Sequence, residues 1–320
     1  MTGPINPMKP AVDLLPIEAI SIWATIKRMI LSNVSTGGGG LVLGIRMTAV
    51  AAILLAGLMT AGAQEPSKLP DWSGQWGRGP GMGTGWDPTK PQAFGQQAPL
   101  TPEYRARFEA TLADKAAGGM GGDPTAICLP HGMPRMMIGI YPLEFVVMPN
   151  VTFILTDYTT HRRIFTDGRD WPSELLPSYN GYSIGKWIDE DGDGRYDVLD
   201  VETRGFKGPR TFEGSGMPLH EDNATVIRER IKRDKADPNL MRIEITVDDH
   251  ALTQPWTINR VYRREAKTVW DFVDCAENNP HVLVGKEYYM ISADGYLMPT
   301  KRDQPAPDLR YFNRAPERAR

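Results

Sequence analysis

Three short runs follow one another in the middle of the chain: LEFVVM (143–148), VTFILTDY (151–158) and RRIFT (162–166). Each is rich in β-branched and aromatic residues, and turn signals such as Pro149-Asn150 and Asp167-Gly168 bound them, which predicts short strands. Similar runs recur at 182–188, 196–203, 224–233, 240–247, 256–263 and 268–274. About ten short strands at this spacing favour a barrel or a sandwich over alternating βαβ units.

The run 240–247 shows the clearest alternation of apolar and polar residues. Met241, Ile243, Ile245 and Val247 are apolar, whereas the intervening residues are polar or charged. Successive side chains of a strand point to opposite faces, so this run predicts a strand with one face in the core and the other in solvent.

One segment before the strands, TPEYRARFEATLADKAA (101–117), has the pattern of a helix. Thr101 stands at the N-cap position, Pro102 follows at the first helical position, and two glycines come directly after the segment. Tyr104 and Phe108 recur at helical spacing, so the helix is expected to dock one apolar face on the core.

The composition excludes several classes of function. The 320 residues include 36 basic and 39 acidic side chains, a net charge of −3, whereas a nucleic-acid binder normally has a basic surplus. No phosphate-binding loop, dinucleotide fingerprint, G-x-S-x-G elbow or C-x-x-C pair occurs, so these motif-based enzyme classes have no support. We expect no nucleic-acid partner, and the sequence leaves the oligomeric state open.

The uncharged run MTAVAAILLAGLMTAGA (47–63) is typical of a secretory signal peptide. Arg46 precedes it, and the small residues at its end, Ala61-Gly62-Ala63, predict cleavage after Ala63. It is short for a membrane span, although an uncleaved anchor remains the alternative. We therefore predict a periplasmic or secreted protein with no stable membrane insertion after processing. The preceding residues are long for a signal peptide, and Met29 or Met47 is the expected start. The predicted organisation is an extension and signal peptide over 1–63, an extended lead-in over 64–100 and a single β-barrel domain over 101–320.

The chain has two cysteines, Cys128 and Cys275. In an oxidising compartment one disulfide between them is the simplest interpretation. Two buried free thiols are the alternative.

An acidic loop, DEDGDGRYDVLD (189–200), has the ligand spacing of a calcium-binding loop, with Gly194 at its sixth position. The flanking residues are predicted strands, so the loop would close a hairpin rather than join two helices. The last position is an aspartate instead of the usual bidentate glutamate, which weakens the expectation, and a solvated turn is the alternative. A bound Ca²⁺ would be structural, and no cofactor is expected for catalysis. The predicted ligands are Asp189, Asp191, Asp193, Asp197 and Asp200.

The segment HRRIFTDGRDW (161–171) places charged residues beside aromatic ones. Alternation separates Arg162 from Arg163, so one of them should point inward, where its charge needs a partner. Glu229 lies on the apolar face of its own strand, and Glu144 and Glu202 are further candidates. Such a pair is either structural or a site with a perturbed acid or base.

Two histidines stand in loops that are rich in proline and polar residues, His131 in CLPHGMPR (128–135) and His220 in PLHED (218–222). Either can serve as an acid or base near neutral pH. Zinc is not favoured, because no H-x-H or H-x-x-x-H spacing occurs.

Seven motifs together resemble a broad group of exported, largely uncharacterised bacterial proteins, and the first also resembles the G-x-W start of lipocalin-like (calycin) barrels. The resemblance covers residues 70–280 and implies an antiparallel β-barrel with an interior pocket for an apolar or aromatic molecule. The motifs are D-W-S-G-x-W (71–76), C-L-P-H-G-M-P-R (128–135), Y-P-L-E-F (141–145), R-R-I-F-T-D-G-R (162–169), S-I-G-K-W (183–187), G-x-P-L-H-E-D (216–222) and D-x-V-D-C-A-E-N-N (271–279).

The predicted fold is therefore mainly β, a calycin-like antiparallel barrel with one N-terminal helix and long loops. The predicted function is a cofactor-independent lyase or isomerase that acts by acid/base chemistry on a hydrophobic aromatic compound, and a non-catalytic carrier of an apolar ligand is the alternative. The predicted catalytic residues are Arg163, Glu229, His220 and His131, and the predicted substrate-binding residues are Arg135, Arg162, Arg169, Tyr179 and Trp187.

Overall fold

A computed structural model of the chain describes residues 65–79, 98–139, 141–157, 161–222, 224–268 and 273–307. The predicted signal peptide at 47–63 and most of the predicted strand at 268–274 lie outside the described residues.

Nine strands form a closed barrel in which each strand pairs with its neighbours in chain order and the ninth returns to the first. The predicted barrel class is thereby confirmed. The barrel strands are β1 (Gln75–Arg78), β2 (Leu143–Val147), β3 (Val151–Thr156), β4 (Arg162–Phe165), β5 (Tyr182–Ile188), β6 (Val198–Arg204), β7 (Val226–Arg233), β8 (Leu240–Asp248) and β9 (Trp256–Arg264).

One pair of neighbouring strands, β4 and β5, is parallel, and the other pairs around the ring are antiparallel. A closed ring with an odd number of strands cannot alternate in direction throughout, so a parallel neighbour is a geometric necessity. Parallel neighbours need a long connection. Residues 166–181 provide it, and they return the chain to the end of the barrel from which β4 started.

The barrel interior is filled with side chains. Met241, Ile243, Ile245 and Val247 of β8 are each at most 1% exposed, which confirms the predicted alternation. Buried apolar residues from each of the other barrel strands belong to the same continuous core. Small barrels are packed in this way when no ligand cavity separates their walls.

The predicted helix is present as α1 (Pro102–Ala116), with the Thr101 hydroxyl accepting a hydrogen bond from the Tyr104 backbone N–H at 3.4 Å. Tyr104 and Phe108 are buried, as the spacing predicts. The Thr101 backbone N–H also donates to the carbonyl of Ala251, at 2.9 Å. This bond ties the start of α1 to the turn between β8 and β9.

A disulfide joins Cys128 and Cys275, so this part of the sequence prediction is confirmed. It links the loop before β2 to a second helix, α2 (Cys275–Asn278). A separate antiparallel sheet follows α2, with the strands β10 (His281–Val284), β11 (Glu287–Ile291) and β12 (Leu297–Pro299).

Strand β1 lies inside the predicted lead-in 64–100 and closes the barrel between β2 and β9. Trp72 and Trp76 from this segment are at most 1% exposed.

Within the described ranges, no helix has the length and apolar character needed to cross a bilayer.

Candidate ligand-binding site

A charged pair lies inside the barrel. Arg162 of β4 and Glu229 of β7 have side chains that are 1% and 0% exposed, and the guanidinium donates to both carboxylate oxygens, at 3.0 and 2.5 Å. Arg162 also donates to the hydroxyls of Ser183 on β5 and Thr203 on β6, at 3.1 and 2.8 Å. These two hydroxyls lie 2.9 Å apart. We call these four residues the buried ion-pair cluster, in which every charged atom that faces the interior has a partner.

The inward arginine is Arg162, whereas Arg163 is exposed on the outer face of β4. Its guanidinium lies 5.4 Å from the ring centroid of Phe153 and 6.0 Å from that of Phe165. The inward partner of Glu229 is thus Arg162, and Arg163 lies on the other side of the barrel wall from it. The catalytic roles predicted for Arg163 and Glu229 stay predictions. Of the other candidate partners, Glu202 lies on the outside and pairs with Arg204.

A cleft opens where β4 meets β5. Only Ile164 and Phe165 of β4 pair with β5, so the first half of this strand has no ladder partner on that side. The Asn180 side chain crosses the gap and donates to the carbonyl of His161 at 3.2 Å. The cleft has a volume of about 340 Å³, near the lower end of the range of small-molecule sites. We call it the β4–β5 cleft, and it is lined by His161, Arg162, Arg163, Phe165, Ser178, Asn180, Gly181, Tyr182 and Ser183.

Aromatic rings form one wall of the β4–β5 cleft. Phe165 stacks on Tyr182 with ring centroids 5.0 Å apart, and Trp171 lies 6.1 Å from Tyr182. The guanidinium of Arg169 covers the Phe165 ring at 3.7 Å and donates to the Tyr182 hydroxyl at 3.3 Å. Such cation–π and stacking contacts fix the rings in place.

The charge of the cleft is positive. Among the described residues that line it there is no carboxylate, and Arg163 forms no ion pair with any described residue. The neighbouring Arg169 is neutralised by Asp167, whose carboxylate oxygen lies 2.5 Å from the guanidinium. This arginine lowers the pKa of Asp167 through hydrogen bonds and its charge, so the carboxylate stays ionised near neutral pH. Arg163 is thus the cation of the cleft that is available to a ligand.

The loop 128–135 holds two predicted site residues in structural contacts. Arg135 donates to the carboxylate of Asp123 at 2.7 Å and to the hydroxyl of Thr211 at 3.0 Å. His131 stacks on Tyr141, with ring centroids 5.9 Å apart. Burial, reinforced by the positive charge of Arg135, lowers the pKa of His131 to about 4, so the imidazole is neutral near pH 7. No described contact brings this loop's polar side chains to Glu229.

Two further predicted binding residues lie in different surroundings. Trp187 is 2% exposed and packs edge-on against Trp72 in the core, with ring centroids 4.8 Å apart. Its burial removes it from any open cleft. Tyr179 lies beside the cleft in sequence, and its carbonyl accepts a hydrogen bond from Met133, while Lys207 lies over its ring at 5.0 Å.

His220 lies in the connection between β6 and β7, close to Asp222 and to His250 in the turn after β8. Its Nδ1 is 3.1 Å from one oxygen of Asp222, and the other oxygen of this carboxylate contacts Nδ1 of His250. The ring of His220 also packs against Tyr104 of α1, with centroids 5.6 Å apart. The predicted histidine therefore has a site of its own, separate from the buried ion-pair cluster.

The acidic loop closes the hairpin between β5 and β6, as predicted, but it gathers only part of the expected ligand set. Asp189, Asp191 and Asp193 have ligand atoms within 4.8 Å of one another. Asp197 accepts a hydrogen bond from the backbone N–H of Glu190 at 2.8 Å. Asp200 lies on the outside of β6, where both of its oxygens are 2.9 Å from the guanidinium of Arg230. The arrangement is that of a turn held by its own aspartates, and the calcium prediction stays a prediction.

A larger concavity of about 500 Å³ lies on the outer face of β5 to β8. Both of its arginines are held in ion pairs. Arg230 pairs with Asp200 and Glu190, and Arg228 pairs with Glu202 at 3.0 Å. A ligand here would have to displace existing ion pairs, so this face is a weaker candidate than the β4–β5 cleft.

Sequence reasoning missed the roles of Phe165, Asn180 and Tyr182 in the cleft, and it did not consider His250. The signal for the aromatic pair lay in the alternation of β4, which puts Phe165 on the same face as Arg163. The signal for His250 lay in its position just after the end of β8, whose last residue pairs with the start of β7.

The fold and the site define the class of protein, a closed nine-stranded β-barrel with a cationic, aromatic cleft beside its parallel strand pair. The barrel is consistent with the calycin-like architecture expected from the sequence. No family model, curated protein or solved structure matches this chain.

Proposed function

We propose that the protein is an exported binding protein for a small aromatic anion, held in the β4–β5 cleft. The observation behind the proposal is the combination of Arg163, which has no ion-pair partner among the described residues, with the stacked rings of Phe165 and Tyr182. An arginine binds a carboxylate through charge-assisted hydrogen bonds, and aromatic side chains bind rings. The exposed His161 also lines the cleft and adds a polar side chain to it.

The surroundings of the cleft support binding more than catalysis. An acid/base enzyme needs a group that is free to exchange a proton with the substrate. Glu229 has both oxygens held by Arg162 and a fully buried side chain. The lyase or isomerase predicted from the sequence would need this carboxylate or a cleft residue to transfer a proton. We therefore favour the carrier alternative and refine its ligand from an apolar to an aromatic, anionic molecule.

Export is part of the proposal. The signal-peptide pattern at 47–63 and the Cys128–Cys275 disulfide both fit an oxidising compartment outside the cytoplasm, and so does the resemblance to exported bacterial proteins. A carrier in the periplasm or outside the cell would bind its ligand without metabolising it.

Isothermal titration calorimetry with naphthalene-2-carboxylate tests the proposal, with the uncharged naphthalene-2-carboxamide as the matched ligand. We expect the carboxylate to bind and Arg163→Gln to weaken binding about 10-fold or more, since a charge-assisted hydrogen bond contributes about 1.5–3 kcal/mol. Arg228→Gln, an exposed arginine outside the cleft, is the control and should leave the affinity unchanged. Equal binding of carboxylate and carboxamide, or an Arg163→Gln variant with the affinity of the wild type, would refute the proposal. Turnover of the ligand would instead restore the enzyme alternative.

A further inference from the structure

We infer that His220, Asp222 and His250 form a binding site for a divalent transition-metal ion, with Zn²⁺ as the expected occupant. We call these residues the two-histidine cluster. One ligand atom from each lies within 4.8 Å of the other two. Two imidazoles and one carboxylate are a common protein ligand set for zinc, which then keeps its fourth position open for water. This site is independent of the β4–β5 cleft and of the proposed carrier function.

The barrel topology brings the three residues together. Val226, the first residue of β7, pairs with Asp248, the last residue of β8. The loop before β7 and the turn after β8 therefore lie at the same end of the barrel, and the first contributes Asp222 while the second contributes His250. The sequence shows no short zinc motif because the ligands come from separate connections.

The donor atoms already face one another. Nδ1 of His220 lies 3.1 Å from one oxygen of Asp222, and Nδ1 of His250 contacts the other oxygen. Nδ1 of His220 also accepts a hydrogen bond from the Asp222 backbone N–H at 3.1 Å, so its acceptor side faces Asp222. A bound ion would take the place of this hydrogen bond.

The remaining adjustment is small. Ligands at about 2.0–2.2 Å from a tetrahedral ion are about 3.3–3.6 Å apart. The present ligand atoms lie within 4.8 Å of one another, so no separation has to shorten by more than about 1.5 Å. The side chain of His250 is 66% exposed and can rotate into place, whereas His220 is held by Tyr104. The exposed His250 is therefore the ligand whose side chain can supply the adjustment.

A buried aspartate fixes the two connections relative to each other. Asp249, 4% exposed, accepts hydrogen bonds from the backbone N–H groups of His220, at 3.0 Å, and Ala251, at 2.8 Å. Its second oxygen accepts from the hydroxyl of Thr225 at 2.6 Å, and Arg210 lies 3.9 Å from the same oxygen. These bonds hold the backbone of His220 next to the turn that carries His250.

The electrostatics favour a cation. Asp222 is the acidic member of the cluster, and its two carboxylate oxygens face the two imidazoles, one oxygen toward each Nδ1.

The test is zinc titration by calorimetry on the full chain, purified without a polyhistidine tag and treated with a chelator. We expect one Zn²⁺ per chain. His250→Ala and Asp222→Asn should each weaken binding at least about 100-fold, because even outer-shell partners change affinity by about 10–100-fold. Asn keeps an acceptor for the Ala224 N–H, so the loop should stay folded. His281→Ala, a histidine of β10, is the matched control and should bind zinc as the wild type does.

Two outcomes would overturn the site. The first is a wild-type chain that does not bind zinc even at millimolar concentration. The second is zinc binding that survives both His250→Ala and Asp222→Asn, which would place the ion elsewhere. Cobalt substitution adds an independent readout, because the visible spectrum of bound Co²⁺ reports its coordination and should be absent in His250→Ala.

Discussion

Removal of one member of the buried ion pair should strongly destabilise the barrel. Glu229→Gln leaves the guanidinium of Arg162 inside the barrel with two hydroxyl acceptors but no counter-charge. A charge left unpaired in this way costs about 3–5 kcal/mol. The whole stability of a domain is about 5–15 kcal/mol, so this single substitution should remove a large part of it. Arg162→Met should cost a similar amount, because it leaves the carboxylate unpaired.

Urea denaturation followed by tryptophan fluorescence measures the effect. For an m-value of about 3 kcal/mol/M, a loss of about 4 kcal/mol moves the midpoint down by about 1.3 M. Arg163→Met, the neighbouring arginine on the outer face of β4, is the matched control and should change the free energy of unfolding by no more than about 0.5 kcal/mol.

The double variant Arg162→Met/Glu229→Leu distinguishes the loss of the ion pair from a change in side-chain packing. It removes both charges and leaves Ser183 and Thr203 hydrogen-bonded to each other, at 2.9 Å. Apolar replacement of a whole buried pair is often neutral or stabilising, so the double variant should recover most of the stability. A loss below about 1 kcal/mol in Glu229→Gln, or equal losses in Arg162→Met and Arg163→Met, would refute this reasoning.

Two further predictions concern stability. Burial lowers the pKa of His131 in the folded chain to about 4, whereas an unfolded histidine titrates near 6.5, so only the unfolded chain takes up this proton between the two values. The free energy of unfolding should therefore fall by up to about 3 kcal/mol as the pH drops from about 6.5 to 4. The urea midpoint of His131→Gln should fall less than that of the wild type over this range. Parallel curves for the two proteins would contradict this. The Cys128–Cys275 disulfide spans 147 residues, so its reduction should lower the free energy of unfolding by about 4–5 kcal/mol. An unchanged melting temperature in the double variant Cys128→Ala/Cys275→Ala would contradict that value.

Much of the fold follows from local patterns in the sequence. The cap at Thr101 and the spacing of Tyr104 and Phe108 place α1 correctly, because both act within a few residues of one another. The alternation over 240–247 places the inner face of β8 for the same reason. The disulfide prediction rests on simple arithmetic, since two cysteines within one chain allow a single pairing.

The inward arginine of β4 could not be read from the sequence. This strand has four residues, and a shift of one residue exchanges its inner and outer faces, so the pattern RRIF allows either assignment. Its parallel pairing with β5 is a consequence of closing an odd ring, which depends on the number of strands in the barrel. The β4–β5 cleft exists because of that pairing, so it could not be predicted from the sequence either.

The two-histidine cluster shows the same limit at longer range. His220 and His250 stand thirty positions apart, and only the register between β7 and β8 brings their loops to one end of the barrel. A sequence motif can reveal metal ligands that lie close together in one segment. Ligands that come from two separate loops are found only when the strand pairing is known.

The most direct test of the proposed function is a crystal structure of the protein with naphthalene-2-carboxylate. We predict the carboxylate within hydrogen-bond distance of Arg163 and the rings against Phe165 or Tyr182, in the β4–β5 cleft. Ligand found instead on the outer face of β5 to β8, or inside a reorganised barrel core, would contradict the proposal.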